Sequence, residues 1–148
     1  MRLCDVNVLI YAHREDASPQ HEAYREWLEK EVNGGEPLGL SELVLSGFLR
    51  VVTQPKFLSQ PTPLGVALDF VDQLARHPNT RFVRPGPMHF NIFLELCRTI
   101  GAHGKLVADA YHAALALEHA CEWITADRDF ARFPGLRWRH PLDPTLPP

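Results

Sequence analysis

The stretch from residue 106 to residue 130 restricts the fold of this chain most strongly. It opens with an alanine-rich segment that carries one early carboxylate, Asp109, and this pattern predicts a buried helix. The short apolar run 122–125 then predicts a strand, and Asp127 and Asp129 follow as that strand ends. An acid on a helix that faces acids at the end of a neighbouring strand is typical of a metal-binding pocket built on regular structure.

The N-terminal segment predicts a second strand of the same kind. Residues 1–12 form a nearly continuous apolar run broken by Asp5 and Asn7, which is typical of a central strand in a parallel sheet. A buried carboxylate without a partner costs several kcal/mol, so we expect Asp5 at the carboxyl end of this strand. Asn7 would then open the turn into a short helix. The alternative is an Asp-x-Asn turn without a functional role.

The rest of the chain alternates between helices and strands. The segment 64–76 predicts an amphipathic helix whose buried face consists of Leu64, Ala67, Leu68, Val71, Leu74 and Ala75. The alternation predicts a single α/β domain over residues 1–148, a three-layer α/β/α sandwich around a mostly parallel, roughly five-stranded sheet. A proline-rich tail from about residue 141 is expected to be loosely held. The predicted helices span residues 18–32, 64–76 and 88–100, and the further predicted strands span residues 37–40, 80–84 and 136–138.

Glu42 is the fourth candidate acid. Ser41 is expected to cap a helix that follows the second strand, which places Glu42 in the first helical turn. A glutamate there is often only a partner of the helix dipole, and that alternative stays open. The carboxyl ends of parallel strands share one edge, however, and that edge is where open α/β sheets bind ligands.

We therefore expect Asp5, Glu42, Asp109 and Asp127 to surround one pocket, with Asp129 as an additional candidate acid. Clustered carboxylates repel one another, so some must bind protons or share a cation. Mg²⁺ fits best and Mn²⁺ can substitute, because both prefer oxygen ligands and retain water. Such an ion would let an acidic pocket accept a phosphodiester and activate a water molecule.

The charge balance excludes nucleic-acid binding by bulk charge alone. The chain has 15 Lys and Arg against 18 Asp and Glu, a net charge of -3. A nucleic-acid partner would therefore need a bound cation or a local basic patch. The sequence has no apolar run near the ~20 residues of a membrane span, so we expect a cytoplasmic protein with no membrane partner.

Three segments and one further acid carry a resemblance to a known family. The motifs D-V-N-V-L-I-Y-A, L-V-A-D-A-Y-H-A-A-L-A and T-A-D-R-D-F-A-R-F-P-G-L, together with Glu42, resemble the PIN-domain nucleases, and among them the VapC-type toxins of bacterial toxin–antitoxin pairs. The resemblance implies a Mg²⁺-dependent endoribonuclease that forms a homodimer and is neutralised by a cognate VapB-type antitoxin. It also implies residue roles: metal-binding catalytic acids at Asp5, Glu42, Asp109 and Asp127, and supporting hydrogen bonds from Asn7 and Thr125.

Lys105 departs from the family pattern, which commonly has a neutral residue before this acid. It would contact an RNA phosphate or would be ordinary surface charge. For protein partners we expect exposed aromatic residues on the antitoxin groove or the dimer face, with core packing as the alternative for each. The candidates are Trp27, Phe48, Phe57 and Phe90.

Three other functions remain open from the sequence. A signalling receiver domain needs a phospho-acceptor Asp at the end of its third strand, and the segment T-R-F-V-R-P-G lacks one. A PIN domain retained as a binding module and a PIN nuclease for RNA maturation are the other two.

Overall fold

A computed structural model describes residues 1–55 and 60–144. In these residues five strands form one sheet in the order β3-β2-β1-β4-β5, and all four pairings are parallel. The strands are β1 (Arg2–Cys4), β2 (Leu38–Leu40), β3 (Thr80–Phe82), β4 (Glu122–Ile124) and β5 (Trp138–Arg139). The helices are α1 (Val6–His13), α2 (His21–Val32), α3 (Glu42–Val52), α4 (Leu64–Arg76), α5 (His89–Ile100) and α6 (Lys105–Glu118).

The strand order places the helices in two layers. From β1 the sheet grows through β2 to β3, and right-handed crossovers put α1 to α4 on one face. The chain then returns to the other side of β1 through α5 and α6, so the same handedness puts these two helices on the opposite face. The predicted α/β/α sandwich is confirmed, and the sheet is parallel throughout.

The predicted element boundaries agree with the observed ones to within a few residues. The helix 64–76 has its predicted bounds, and the Ser41 side chain caps α3 by accepting a hydrogen bond from Val44 N at 3.2 Å. The segment 1–12 divides as expected, because β1 ends before Asp5 and α1 begins at Val6.

A buried carboxylate at the end of α6 ties α5 and α6 together. Glu118 accepts backbone hydrogen bonds from Gly86 at 2.8 Å, Met88 at 2.9 Å and His89 at 3.0 Å, which satisfies amides at the start of α5. A side chain at Gly86 would collide with this carboxylate, since an added Cβ would lie 2.6 Å from Glu118 Oε1. This contact fixes the helix that carries Asp109.

The predicted buried face of α4 was wrong at two positions. Leu64 and Leu68 are 60% and 45% exposed, whereas Ala67 and Leu74 are buried as predicted. For Phe48 the core-packing alternative holds, because it is fully buried and stacks on Phe70 with ring centroids 5.0 Å apart.

The other candidate aromatic residues differ from Phe48. Trp27 is half-buried, Phe90 is 64% exposed, and Phe57 lies outside the described residues.

Among the helices that the structure describes, none combines the length and apolar character needed to span a bilayer.

Candidate active site

The site lies where the two central strands end. β1 and β4 run side by side, with Cys4 opposite Ile124, so the residues after them emerge together. The Asp5 amide continues this pairing by donating to Ile124 O at 2.9 Å. The connections on either side of β1 lead in opposite directions, and this switch point is where open α/β sheets form their ligand crevice.

Asp5 is held rigidly in this crevice. It is 4% exposed and caps α1, since its Oδ1 accepts from Val6 N at 2.6 Å. Its Oδ2 accepts from Thr125 Oγ1 at 2.6 Å and from Asn7 Nδ2 at 2.9 Å. Asn7 Oδ1 in turn accepts from Ala126 N at 3.0 Å, which ties the start of α1 to the loop after β4.

Burial changes the protonation of Asp5. It raises the pKa of Asp5 to about 6, and the nearby carboxylates of Asp109 and Asp127 contribute in the same direction. The hydrogen bonds from Thr125 and Val6 oppose this shift without cancelling it. Asp5 therefore lies in an environment that would favour a compensating cation.

Asp109 enters the crevice from α6. The alanines at 110, 113, 114 and 116 are fully buried, so the helix approaches the sheet closely. Asp109 is 7% exposed, and its Oδ2 is buried without a hydrogen-bond partner among the described residues. Burial raises the pKa of Asp109, and this effect exceeds the lowering by Lys105. An unsatisfied buried oxygen costs stability unless a ligand fills its place.

Asp127 lies across the crevice and has more partners. Its amide donates to Thr125 Oγ1 at 3.0 Å, and its Oδ1 accepts from Asp129 N at 2.9 Å. Its Oδ2 accepts a short hydrogen bond from the Lys105 ammonium, whose nitrogen also lies 3.9 Å from Asp109 Oδ2. Burial raises the pKa of Asp127, but the Lys105 and Asp129 hydrogen bonds and the lysine charge leave it below its ordinary value.

The three acids line one open pocket of about 590 Å³. No trio of carboxylate, imidazole or thiol groups within residues 1–55 and 60–144 forms a ready-made metal site, and the Lys105 ammonium lies against the oxygens that such a site would use. The lining residues are Asp5, Val6, Asn7, Tyr11, Lys105, Asp109, Ala126, Asp127, Arg128 and Phe130.

Glu42 and Asp129 do not line this pocket. Glu42 begins α3 beside the same sheet edge, but its side chain is 54% exposed and accepts from Arg84 Nε at 2.6 Å. That hydrogen bond lowers the pKa of Glu42. The Asp129 side chain is 55% exposed and lies 3.7 Å from Arg132.

Sequence reasoning missed two arginines at this edge. Arg128 lines the pocket, and its position between Asp127 and Asp129 was the available signal. Arg84 is 42 residues from Glu42 in the chain, and no local pattern links the two.

Comparison with known proteins identifies the family. The family model described as the PIN domain matches residues 2–136. This chain belongs to the PIN-domain family. It is 49% identical over 142 residues to ribonuclease VapC43 of Mycobacterium tuberculosis, an alignment that covers 95% of this chain and 96% of that protein. It is thus a VapC-type PIN domain, which leaves the receiver-domain alternative without support.

Solved structures agree on the fold of this PIN domain. VapBC-1 from nontypeable Haemophilus influenzae superposes with a TM-score of 0.70 at 14% identity, over 96% of this chain and 98% of that one. A toxin–antitoxin complex from Klebsiella pneumoniae gives a TM-score of 0.58 at 17% identity, over 97% and 99% of the two chains.

Proposed function

We propose that this VapC-type PIN domain is a metal-dependent endoribonuclease and the toxin of a toxin–antitoxin pair. The observation that carries the proposal is the convergence of Asp5, Asp109 and Asp127 on one pocket at the switch point of the sheet. The relative that is 49% identical is named a ribonuclease, and it matches almost the full length of both chains.

The donor set fits a divalent cation with a preference for oxygen. Asp5, Asp109 and Asp127 would hold Mg²⁺, with Mn²⁺ as a substitute. The buried Asp109 Oδ2 has no hydrogen-bond partner among the described residues, as expected of an oxygen that faces a ligand. Glu42 would join this set only after it leaves Arg84, so we place it in an outer position.

The protein's own contribution to the reaction is positioning. Asn7 and Thr125 fix the Asp5 carboxylate through hydrogen bonds of 2.9 and 2.6 Å. When bound, the cation supplies Lewis-acid stabilisation of the attacked phosphate and lowers the pKa of water. Lys105 and Arg128 lie at the same pocket and present positive charge to a polyanionic substrate.

A cleavage assay with a matched control tests this function. Asp109→Asn keeps the size of a side chain whose Oδ2 has no hydrogen-bond partner in the described part of the chain, so the fold should persist while RNA cleavage falls at least about 100-fold. The control is Asp72→Asn, which removes an exposed acid on α4 that pairs with Arg76 at 2.7 Å. Cleavage by Asp109→Asn at the wild-type rate would overturn the proposal.

Induced expression separates the toxin from the two remaining alternatives. A toxin arrests growth, and sequencing of new RNA ends shows cleavage of functional RNA. Ends confined to precursor RNA without growth arrest would indicate a maturation nuclease. The absence of new ends, combined with RNA binding, would indicate a binding module.

We further propose a VapB-type antitoxin as partner and a homodimer as the assembled form. One of the two solved neighbours described above is named VapBC-1, and the other is named a toxin–antitoxin complex. Phe90 and Met88, 64% and 55% exposed at the start of α5, are the apolar residues we assign to one of these interfaces. Co-expression with the product of the adjacent small gene, followed by hydrogen-exchange mapping of α5, tests the assignment.

A further inference from the structure

Lys105 is placed unusually for a surface lysine. It is the first residue of α6, one helical turn before Asp109. Its side chain is 68% exposed, yet its ammonium donates to Asp127 and lies 3.9 Å from Asp109. One lysine therefore contacts the carboxylate on the sheet side of the pocket and approaches the one on the helix side.

Ordinary helix energetics do not account for this position. The first turn of a helix carries partial positive charge, so a lysine there is disfavoured. The preceding residue, Gly104, supplies no side-chain cap that would offset this cost. The carboxylates of Asp127 and Asp109 supply the compensating attraction, and the pKa of Lys105 is correspondingly raised by its hydrogen bond to Asp127, which outweighs the lowering by burial.

The same oxygens are the ones that a divalent cation would use. The oxygen Asp127 Oδ2 accepts the lysine hydrogen bond, and the oxygen Asp109 Oδ2 is the unsatisfied one. An ammonium and a divalent cation on one carboxylate pair would repel each other strongly at such short range. The Lys105 ammonium and a divalent cation therefore compete for the carboxylates of Asp127 and Asp109.

We infer that Lys105 is an internal cation that competes with the divalent ion for Asp127 and Asp109, and that the displaced ammonium then binds a phosphate of the RNA. This inference rests on the proposed function. The mostly exposed side chain has a flexible four-carbon stem, so it can rotate from the carboxylates to the pocket rim without a backbone movement. Lys105 would therefore bind substrate only after the metal ion has displaced it from the carboxylates.

Titration with Mn²⁺ alone tests the competition without relying on activity. Lys105→Met keeps an unbranched side chain of nearly the same length and removes its charge. Because the competitor is gone, calorimetry should give about fivefold tighter Mn²⁺ binding than in the wild type. Lys30→Met on α2 is the matched control, an exposed lysine that does not line the acidic pocket, and it should bind Mn²⁺ like the wild type.

Binding of single-stranded RNA to the Ca²⁺-loaded protein tests the transfer to phosphate. Lys105→Met loses one phosphate contact, so it should bind the RNA more weakly than the wild type. The magnitude of its slope of log affinity against log salt should fall by about 0.7. Lys105→Arg retains a phosphate-binding cation and should keep the wild-type slope. Lys30→Met again serves as the control and should leave the slope unchanged.

The outcomes separate this inference from the proposed function. If the wild type binds Mn²⁺ and cleaves RNA but Lys105→Met binds Mn²⁺ no more tightly, the competition is refuted and the nuclease assignment stands. If the salt slope of Lys105→Met equals that of the wild type, the transfer to RNA is refuted. If the wild type binds no Mn²⁺, the proposed metal site and this inference are both overturned.

Discussion

The two ends of the central strands differ in the arrangement of their charged side chains. At the amino end, Arg2 of β1 pairs with Glu31 and lies 3.7 Å from Glu122 of β4, and Arg139 lies 3.4 Å from the same carboxylate. At the carboxyl end, Asp5, Asp109 and Asp127 line one pocket, where the Lys105 ammonium pairs with Asp127 and lies 3.9 Å from Asp109.

Each of the two central strands has a stabilising charged residue at its amino end and a candidate functional acid after its carboxyl end. β1 begins at Arg2 and is followed by Asp5, while β4 begins at Glu122 and is followed soon after by Asp127. Opposite charges at the amino end stabilise the folded chain directly. Burial and, to a smaller extent, the neighbouring carboxylates raise the pKa values of Asp5 and Asp109, so the carboxyl end is costly for the fold and suited to bind a cation.

The largest expected effect comes from neutralising one acid at each end of β4. Asp127→Asn should lower kcat/KM for RNA cleavage at least about 100-fold, because it removes a carboxylate from the pocket. Glu122→Gln should leave kcat/KM within about twofold, since its carboxylate pairs with Arg2 and Arg139 and does not line the pocket. Steady-state cleavage of one RNA substrate by both variants decides this. Equal losses would mean that the two ends do not differ in function.

Metal addition should stabilise the chain through the carboxyl end alone. Mn²⁺ at about 100 times its dissociation constant should raise the free energy of unfolding by about 2.7 kcal/mol, because the ion binds only the folded state. Glu122→Gln should show the same gain, whereas Asp109→Asn should show little or none. Urea unfolding with Mn²⁺ and with EDTA measures the difference. A full gain in Asp109→Asn would place the ion elsewhere.

Neutralising a carboxylate at the amino end should lower stability and leave RNA cleavage unchanged. Glu31→Gln leaves Arg2 without its main partner, and the Glu31 side chain is only 9% exposed. Since Arg2 is itself 27% exposed, the loss of unfolding free energy should be about 2 kcal/mol, below the value for a fully buried pair. Cleavage per folded molecule should stay unchanged. A stability equal to that of the wild type would show that this ion pair contributes nothing.

The sequence predicted most of what places the acids. Alternating helices and strands gave the sheet, and the cost of burying Asp5 put it at a strand end, where the structure has it. The alanine-rich pattern predicted that α6 is a buried helix, and its Asp109 lines the pocket. These features are local, because they depend on the period of apolar residues and on backbone geometry.

The sequence did not predict which partners the charged side chains choose. The pairing of Glu42 with Arg84 and that of Lys105 with Asp127 join residues far apart in the chain, and they depend on side-chain conformations after folding. The prediction that Leu64 and Leu68 lie on the buried face of α4 was wrong for a related reason. Periodicity identifies an apolar stripe, but the neighbouring elements determine which part of that stripe is covered.

Acidification should destabilise the chain through a histidine of α6. His112 stacks on Trp123 with ring centroids 5.4 Å apart, and burial lowers the pKa of His112 to about 4. The stability it contributes is therefore present above its ordinary pKa of 6.5 and is lost as the pH falls through 4. His112→Phe keeps an aromatic ring and should remove about 2 kcal/mol of the loss between about pH 7 and about pH 5. An unchanged pH profile in urea unfolding would contradict this.

Asp5 should act with the opposite sign over the same range. Its pKa in the folded chain, about 6, lies above the ordinary 3.8, so the folded state binds this proton more tightly than the unfolded state. The contribution of Asp5 to stability is full when the pH is below its ordinary pKa, and it is lost as the pH rises through 6.

Relative to Asp5→Asn, the metal-free wild type should therefore lose about 1 kcal/mol of unfolding free energy between about pH 5 and about pH 7. Urea unfolding of both proteins in EDTA across this range measures the difference. The comparison is between slopes, so a constant offset from altered hydrogen bonding does not affect it. Parallel pH profiles would show that Asp5 is ionised in the metal-free chain without cost, and the two ends of β1 would then not differ in the way their charges affect folding.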